Sequence, residues 1–401
     1  MNERLKVKSF GPIKELDITF NKVTLFIGDQ GVGKSCVAKL FSMFKWLEKA
    51  LIMKRYSLNY FEQYNRFKKV LCAYHRIETY ISDESHVEYK SDLFCFIYDK
   101  AFSVTRLEGE VDCLPKVMYI PAERSIVSVA ENKPKLLKEL PESCETFYDE
   151  FVNAKKNFQS GFLLPFENLS FEYDALNDSS WICGEKYKVR LINASSGIQS
   201  SLPLCIVTEY LSNKIENKTE ILLSKDEKEK LEKRIACIMS NPEYTETIKD
   251  MMIRTLSAKT VYGSLINVVE EPELNLFPNS QIHVLSSLVA NNASTEANML
   301  VLTTHSPYIL AIINMMIMGD RVYKIGSSVE TKSKVNEIVS KGVRLASEQI
   351  SAYRLDSQAE DYSKSIINEQ TGLISKNELD AASQEIMSRF SYLCKIYAEN
   401  I

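Results

Sequence analysis

The stretch that decides the fold reads Gly28-Asp29-Gln30-Gly31-Val32-Gly33-Lys34-Ser35. It has the form G-x-x-x-x-G-K-S, follows the apolar run Val23-Thr24-Leu25-Phe26-Ile27 and precedes a helical pattern from Cys36 to Leu47. A strand, a glycine-rich loop and a helix N-terminus in that order are what a phosphate-binding loop requires. The glycines let backbone N–H groups turn inward around phosphates, and the helix dipole adds partial positive charge there. Gly28 to Ser35, with the adjoining Cys36, are therefore the expected nucleotide-binding residues. Lys34 would reach the β- and γ-phosphates, and the Ser35 hydroxyl would hold Mg²⁺.

At 401 residues the chain can bury a large core and divide into more than one lobe. A formal net charge of −4 argues against a surface that grips nucleic acid throughout, although a local basic patch fits within it. The nine cysteines include no C-x-x-C pair, so neither a zinc site nor a disulfide framework is expected. Reduced thiols in a cytoplasmic protein are the simple reading. The opening Met1-Asn2-Glu3-Arg4 has no apolar leader core, and no apolar run reaches the ~18 residues of a membrane span. The apolar segment from Tyr308 to Met318 reads as a buried helix.

Leu5 to Phe20 alternates like two strands around Gly11-Pro12. From about Lys45 to about Tyr74 the pattern is helical, with Lys45, Lys49, Lys54, Arg55, Arg66, Lys68, Lys69 and Arg76 interleaved with aromatic residues. That run would suit a nucleic-acid or partner surface. The plainer reading, a helical hairpin with solvated lysines and core aromatics, is favoured. Arg76 to Glu108 reads as an antiparallel sheet, Val117 to Ile120 as a strand, and Ser125 to Ser180 as largely helical. Val189 to Ile192 leads into Asn193-Ala194-Ser195-Ser196-Gly197-Ile198-Gln199-Ser200 and an apolar helix from Leu202 to Leu211. Small hydroxyl residues and glycine before a helix form a second potential anion nest, a weak signal alone. Asn217 to Ser257 is charged and helical without sustained heptads. Leu265 to Val269 and Leu300 to Thr304 are buried strands, and Arg321 to Ile325 reads as a final one. Ser375-x-x-Glu378 would cap an amphipathic helix carrying Leu379, Ile386, Phe390, Leu393 and Tyr397.

Glu270-Glu271-Pro272-Glu273 follows one buried strand, and His305-Ser306-Pro307 ends another. Adjacent acids at a buried strand end are costly unless a cation uses them, and beside a phosphate loop that cation is Mg²⁺. Glu270 would bind the metal and Glu271 would act as general base on water. His305 would hydrogen-bond the γ-phosphate or the attacking water. The plainer alternatives are an exposed turn for the acids and a satisfied polar strand end for His305.

These four motifs, in this order over roughly residues 5–330, resemble an ABC-type ATPase of the SMC/Rad50/OLD kind. The resemblance implies an α/β fold: an ABC-type P-loop NTPase head with a mixed sheet, an antiparallel β subdomain and a helical lobe. It divides the chain into ATPase core (1–48), helical insertion with antiparallel sheet (49–115) and ATPase strand with helical lobe (116–260). Core with Walker B, D-loop and switch histidine (261–330) and a C-terminal helical region (331–401) follow. Ser196 and Gly197 stand at the signature positions that contact ATP, and Leu274 to Pro278 matches the D-loop. In such ATPases the signature of one subunit covers ATP held by another, which implies a homodimer or a higher oligomer.

Ser9-Phe10-Gly11-Pro12-Ile13, Ile120-Pro121-Ala122-Glu123-Arg124 and Ser195 to Ser200 further resemble stand-alone ATPases of bacterial anti-phage systems, the PARIS, Septu and retron-associated kinds. With about 70 residues after Ile325, no Toprim nuclease domain fits within the chain. The resemblance therefore implies a separate toxic effector, a nuclease, and a phage-derived trigger. Two departures stand out. No glutamine lies between Gln63 and Gln159 to serve as a Q-loop, which leaves Glu123 or Arg124 for that role. Ile198 also occupies a position where the family often has a second glycine.

Overall fold

The alternation on either side of Gly11-Pro12 gives two antiparallel strands, Glu3–Phe10 (β1) and Ile13–Phe20 (β2). The computed structural model describes residues 3–130, 140–166, 168–218, 225–241, 244–245, 248–249, 261–326, 328–375, 387–388 and 390–391. The phosphate-loop strand Val23–Gly28 (β3) comes next, then a long helix, Lys34–Ile52 (α1). Ile81–Lys90 (β4), Phe94–Asp99 (β5) and Ala101–Arg106 (β6) join the first two strands in an antiparallel sheet, ordered β2-β1-β4-β5-β6.

The central sheet is mixed. Pro115–Ile120 (β7), Ser264–Glu270 (β12), Met299–Thr304 (β13) and Ile350–Leu355 (β14) run parallel with β3, and Ser363–Ser365 (β15) adds an antiparallel edge. The order is β15-β14-β3-β13-β12-β7, which sets the acid-bearing and histidine-bearing strand ends beside the phosphate loop. Every residue of β12 and β13 is buried, as expected for parallel strands covered on both faces. Side chains alternate between two cores. Ile266, Val268, Met299 and Val301 meet α1 and the antiparallel sheet. Leu265, Val269, Leu300 and Leu302 meet the helices Ser196–Glu216 (α4), Pro278–Asn292 (α6) and Pro307–Ile325 (α7).

Several sequence expectations require correction. Helix α1 ends at Ile52 rather than continuing toward Tyr74, and left-handed backbone at Lys54, Tyr64 and Asn65 interrupts any hairpin. A π-helical turn, Phe67–Cys72, follows because Phe67 is drawn onto the sheet, stacking on Tyr98 and Phe102 at 4.8 and 4.5 Å. Two members of the basic run are interior and cannot serve a nucleic-acid surface. Lys45 is buried between Glu3 (2.7 Å) and Glu48 (2.8 Å), whose remaining oxygens accept from Tyr89 and Ser91. Buried Lys49 holds its ammonium 5.2 Å from the centre of the Tyr262 ring.

The stretch from Ser125 to Ser180 holds two helices, Ser125–Val129 (α2) and Glu142–Asn157 (α3), but also strands. Phe162–Leu163 (β8), Ser170–Asp174 (β9) and Ser179–Cys183 (β10) form a small antiparallel sheet with Lys188–Arg190 (β11). The period-two burial of Phe171 and Tyr173 decides for strand there. Arg321 to Ile325 is the last turn of α7, which runs past the buried face of Ile309, Ile313, Met316 and Ile317 so that Val322 and Ile325 are exposed; a Lys324–Asp320 pair (2.6 Å) spans it. The further strands of the sheet are β14 and β15, so 331–401 is not purely helical; the helix Val329–Ile338 (α8) precedes them. Lys225–Ser240 (α5) lies in the charged stretch as expected, while 242–243, 246–247 and 250–260 lie outside the described residues. So does the expected C-terminal amphipathic helix, apart from 387–388 and 390–391. Among the described residues no helix is long and apolar enough to cross a membrane.

Helix α4 continues through Pro203, which has no N–H for the Gln199 carbonyl and whose ring crowds that turn. Neighbouring side chains donate to the carbonyls of this turn. Ser128 Oγ donates to Gln199 O (2.9 Å) and Arg124 Nε to Ser200 O (2.9 Å). The same contacts fix α4 against the segment after β7.

Candidate functional site

The phosphate loop joins β3 to α1 through Gly28, Gly31 and Gly33, all at positive φ. Gly28 is required on two counts: its φ is 154°, and a Cβ there would lie 2.2 Å from the Leu355 carbonyl oxygen of the adjoining strand. Inside the loop, Lys34 Nζ donates to the carbonyls of Gly28 and Asp29, each at 2.7 Å, and lies 3.4 Å from His305 Nδ1. Burial lowers the Lys34 pKa to about 8, opposed by Glu271, Asp29, Glu273 and Glu270. An ammonium held by carbonyls at the loop mouth is ready to exchange them for phosphate oxygens.

Three acids converge on this loop from β12. Glu270, the last residue of the strand, is 3 % exposed. Its Oε2 accepts from the Ala122 N–H at 3.4 Å, and among the described residues its Oε1 meets no donor within hydrogen-bond geometry. Burial raises its pKa, and Lys39 works against that, as do the Tyr119 and Ser35 hydroxyls. A buried carboxylate with an open oxygen beside a serine hydroxyl is a hard, oxygen-only donor set, which fits Mg²⁺.

Glu271 adopts a left-handed conformation (φ 43°) while its N–H still extends the ladder to Thr303 O (2.9 Å). This turns its carboxylate out of the sheet to within 3.4 Å of His305 Nε2. A non-glycine residue held there costs about 1–3 kcal/mol, typical of a site where geometry serves chemistry. The ammonium facing Nδ1 makes that nitrogen the acceptor and leaves Nε2 to carry the proton toward Glu271.

Glu273, to which the sequence motif assigns no role, supports the histidine. Its Oε1 accepts from Thr304 Oγ1 and from the His305 N–H, both at 2.7 Å, so it sets the histidine backbone. Arg124 is fully buried and donates to main-chain carbonyls on both sides: Glu270 O and Glu271 O (2.7 Å each), Pro121 O (3.2 Å) and Ser200 O. Burial lowers its pKa to about 10, with Glu273 opposing first, so it stays charged near neutrality. Arg124 is thus committed to the backbone, while the neighbouring Glu123 is exposed.

The structure brings Lys34, Ser35, Glu270, Glu271 and His305 together. Ser196 and Gly197 group elsewhere, with the D-loop. Ser195 caps α4 by accepting from Ile198 N, and Ser196 is exposed at its first turn. A Cβ on Gly197 would lie 2.8 Å from Asn275 O, and Ser200 Oγ donates to Leu274 O (3.0 Å). Ile198 turns inward to the core. The signature therefore presents its helix N-terminus outward. Cys36 is buried behind the loop, where burial pushes its thiol up to about 12.

No protein-family model matches the chain, and no curated protein matches it. Among solved structures, it is similar to the SMC head domain from Thermotoga maritima, with 11 % identity over 78 % of this chain and 92 % of that one (TM-score 0.33). It is also similar to two structures of the recombination mediator protein RecF. The RecF–ATPrS structure shows 10 % identity over 89 % of this chain and 97 % of that one (TM-score 0.28). The RecF–ATP structure shows 12 % identity over 76 % and 92 % (TM-score 0.27). These likenesses are weak, and the mixed sheet with its convergent strand ends carries the functional reading.

Proposed function

We propose that the protein is an ABC-type ATPase that hydrolyses ATP to ADP and phosphate. The observation that carries this reading is the meeting of Lys34, the open oxygen of Glu270 and the Glu271–His305 pair at the mouth of one glycine loop. Lys34 and the loop N–H groups bind the phosphates. Ser35 and Glu270 would hold Mg²⁺, which supplies charge neutralisation on the phosphate oxygens. Glu271 takes a proton from water as its oxygen attacks the γ-phosphorus. The bond from that phosphorus to the bridging oxygen breaks, and ADP leaves. His305 holds the Glu271 carboxylate in place.

Because Ser196 is exposed at the N-terminus of α4, away from Lys34 and Glu270, we read the site as half of a composite one, completed in a head-to-tail homodimer. Lys34→Ala and Ser196→Arg proteins should each be inactive alone. Mixed, they should recover part of the wild-type rate through the single site that has both halves intact. Steady-state phosphate release measures this, and no recovery on mixing would sink the composite site.

We further propose that the dimer is a cytoplasmic sensor of an anti-phage system. An AriA-like subunit of the PARIS kind, it would answer a phage-derived trigger and control a separate nuclease effector. The support is the sequence resemblance of 9–13, 120–124 and 195–200. Co-expression with the neighbouring gene product should yield a complex sensitive to ATP. No association in either nucleotide state would remove the effector. A second reading, an SMC/Rad50-like ATPase of DNA repair or recombination, draws on the outer part of the basic run, where Arg66 stacks on Tyr60 and Tyr64. It requires hydrolysis that DNA stimulates and salt suppresses.

A further inference from the structure

The phosphate loop is gripped from the far end of the chain. After β14, residues 356–361 cross the surface to Tyr362, which turns inward and is 4 % exposed. Its hydroxyl donates to the carbonyl of Val32, inside the loop. The crossing is closed at both ends: Asp356 N–H donates to Tyr362 O (3.0 Å), and Lys14 Nζ to Ser357 O (2.5 Å). The neighbouring glycine carries the imprint of this contact. A Cβ on Gly33 would lie 2.9 Å from the tyrosine oxygen, so residue 33 must be glycine for the hydroxyl to reach the loop.

Within a trans peptide the C=O and the following N–H point in opposite directions. A donor that fixes Val32 O on one side therefore aims the Gly33 N–H to the other, toward the inside of the loop. The hydroxyl is a dependable donor, since burial raises its pKa above the usual tyrosine value.

We propose that Tyr362 is a positioning residue of the phosphate loop, which sets the 32–33 peptide so that the Gly33 N–H is preorganised for the β-phosphate. This rests on the nucleotide-binding reading above. Without the hydroxyl, that peptide is free to rotate and each binding event must order it again. The effect falls on phosphate affinity and not on the chemistry at Glu271.

The test is Tyr362→Phe, which keeps the ring and removes only the oxygen. Tyr353→Phe is the matched control: its hydroxyl lies on β14 and donates to Thr19 O (2.9 Å), away from the loop. For Tyr362→Phe, Kd for ADP and for pyrophosphate should rise about tenfold. KM for ATP should rise with them, while kcat stays within about twofold and the ligand-free unfolding midpoint matches that of Tyr353→Phe. Unchanged ADP and pyrophosphate affinity in Tyr362→Phe overturns the proposal, as does an equal loss in Tyr353→Phe. Wild-type protein that binds no ADP would overturn the nucleotide reading itself, an outcome distinct from either.

Discussion

Glu271→Gln is expected to lower steady-state ATP hydrolysis by about 10²–10⁴-fold, the usual contribution of a positioned general base, while ATP affinity changes by less than about threefold. The amide is isosteric and can still face His305 Nε2, now 3.4 Å from Oε1, so the loop and its lysine are undisturbed. It has no basic oxygen to take the proton from attacking water. The left-handed backbone at 271 sharpens the expectation, because this turn gives Glu271 its orientation whichever side chain follows. Phosphate release and equilibrium ATP binding, measured on the same preparation, separate chemistry from binding. A variant that keeps more than a tenth of the wild-type rate would place the base elsewhere.

Arg124→Met should destabilise the fold by about 3–5 kcal/mol, through buried carbonyls left without donors at roughly 1–3 kcal/mol each. Glu270 O, Glu271 O and Ser200 O all lose their guanidinium donors. The loss is large beside a typical net stability of about 5–15 kcal/mol. Arg124→Lys should rescue little, because one ammonium cannot span carbonyls on both sides as the planar fork does. Shifts in the thermal unfolding midpoint measure both variants. A midpoint within about 2 °C of wild type for Arg124→Met would show that other donors or water cover these carbonyls.

Much of this was legible in the sequence because short-range rules governed it. Strand, loop and helix around Gly28–Ser35 follow from local pattern, as do the β1–β2 turn and the largely apolar β12 and β13. The motif order also anticipated which side chains meet at the loop. Failures arose where tertiary contact overrode local pattern. Lysines 45 and 49 read as solvated charges, yet partners from strand and loop draw them inside. Arg321 to Ile325 has the β-branched look of a strand, but α7 was already running and nothing there stops it. Arg124 sits in a segment singled out for another reason, and its work on four carbonyls depends on residues up to 147 positions away. Tyr362 had no local signal at all: its partner in the loop lies 330 residues earlier.

That separation bears on how the molecule is made. Strand β3 leaves a ribosome long before either strand that flanks it, since β13 ends at residue 304 and β14 at residue 355. Until residue 304 has been made both sides of β3 are therefore unpaired, and until residue 362 the Val32 carbonyl has no tyrosine hydroxyl. Pairings so distant in sequence form late. On the proposed function, nucleotide binding would thus be acquired only when the last-made strands of the central sheet, β14 and β15, are in place.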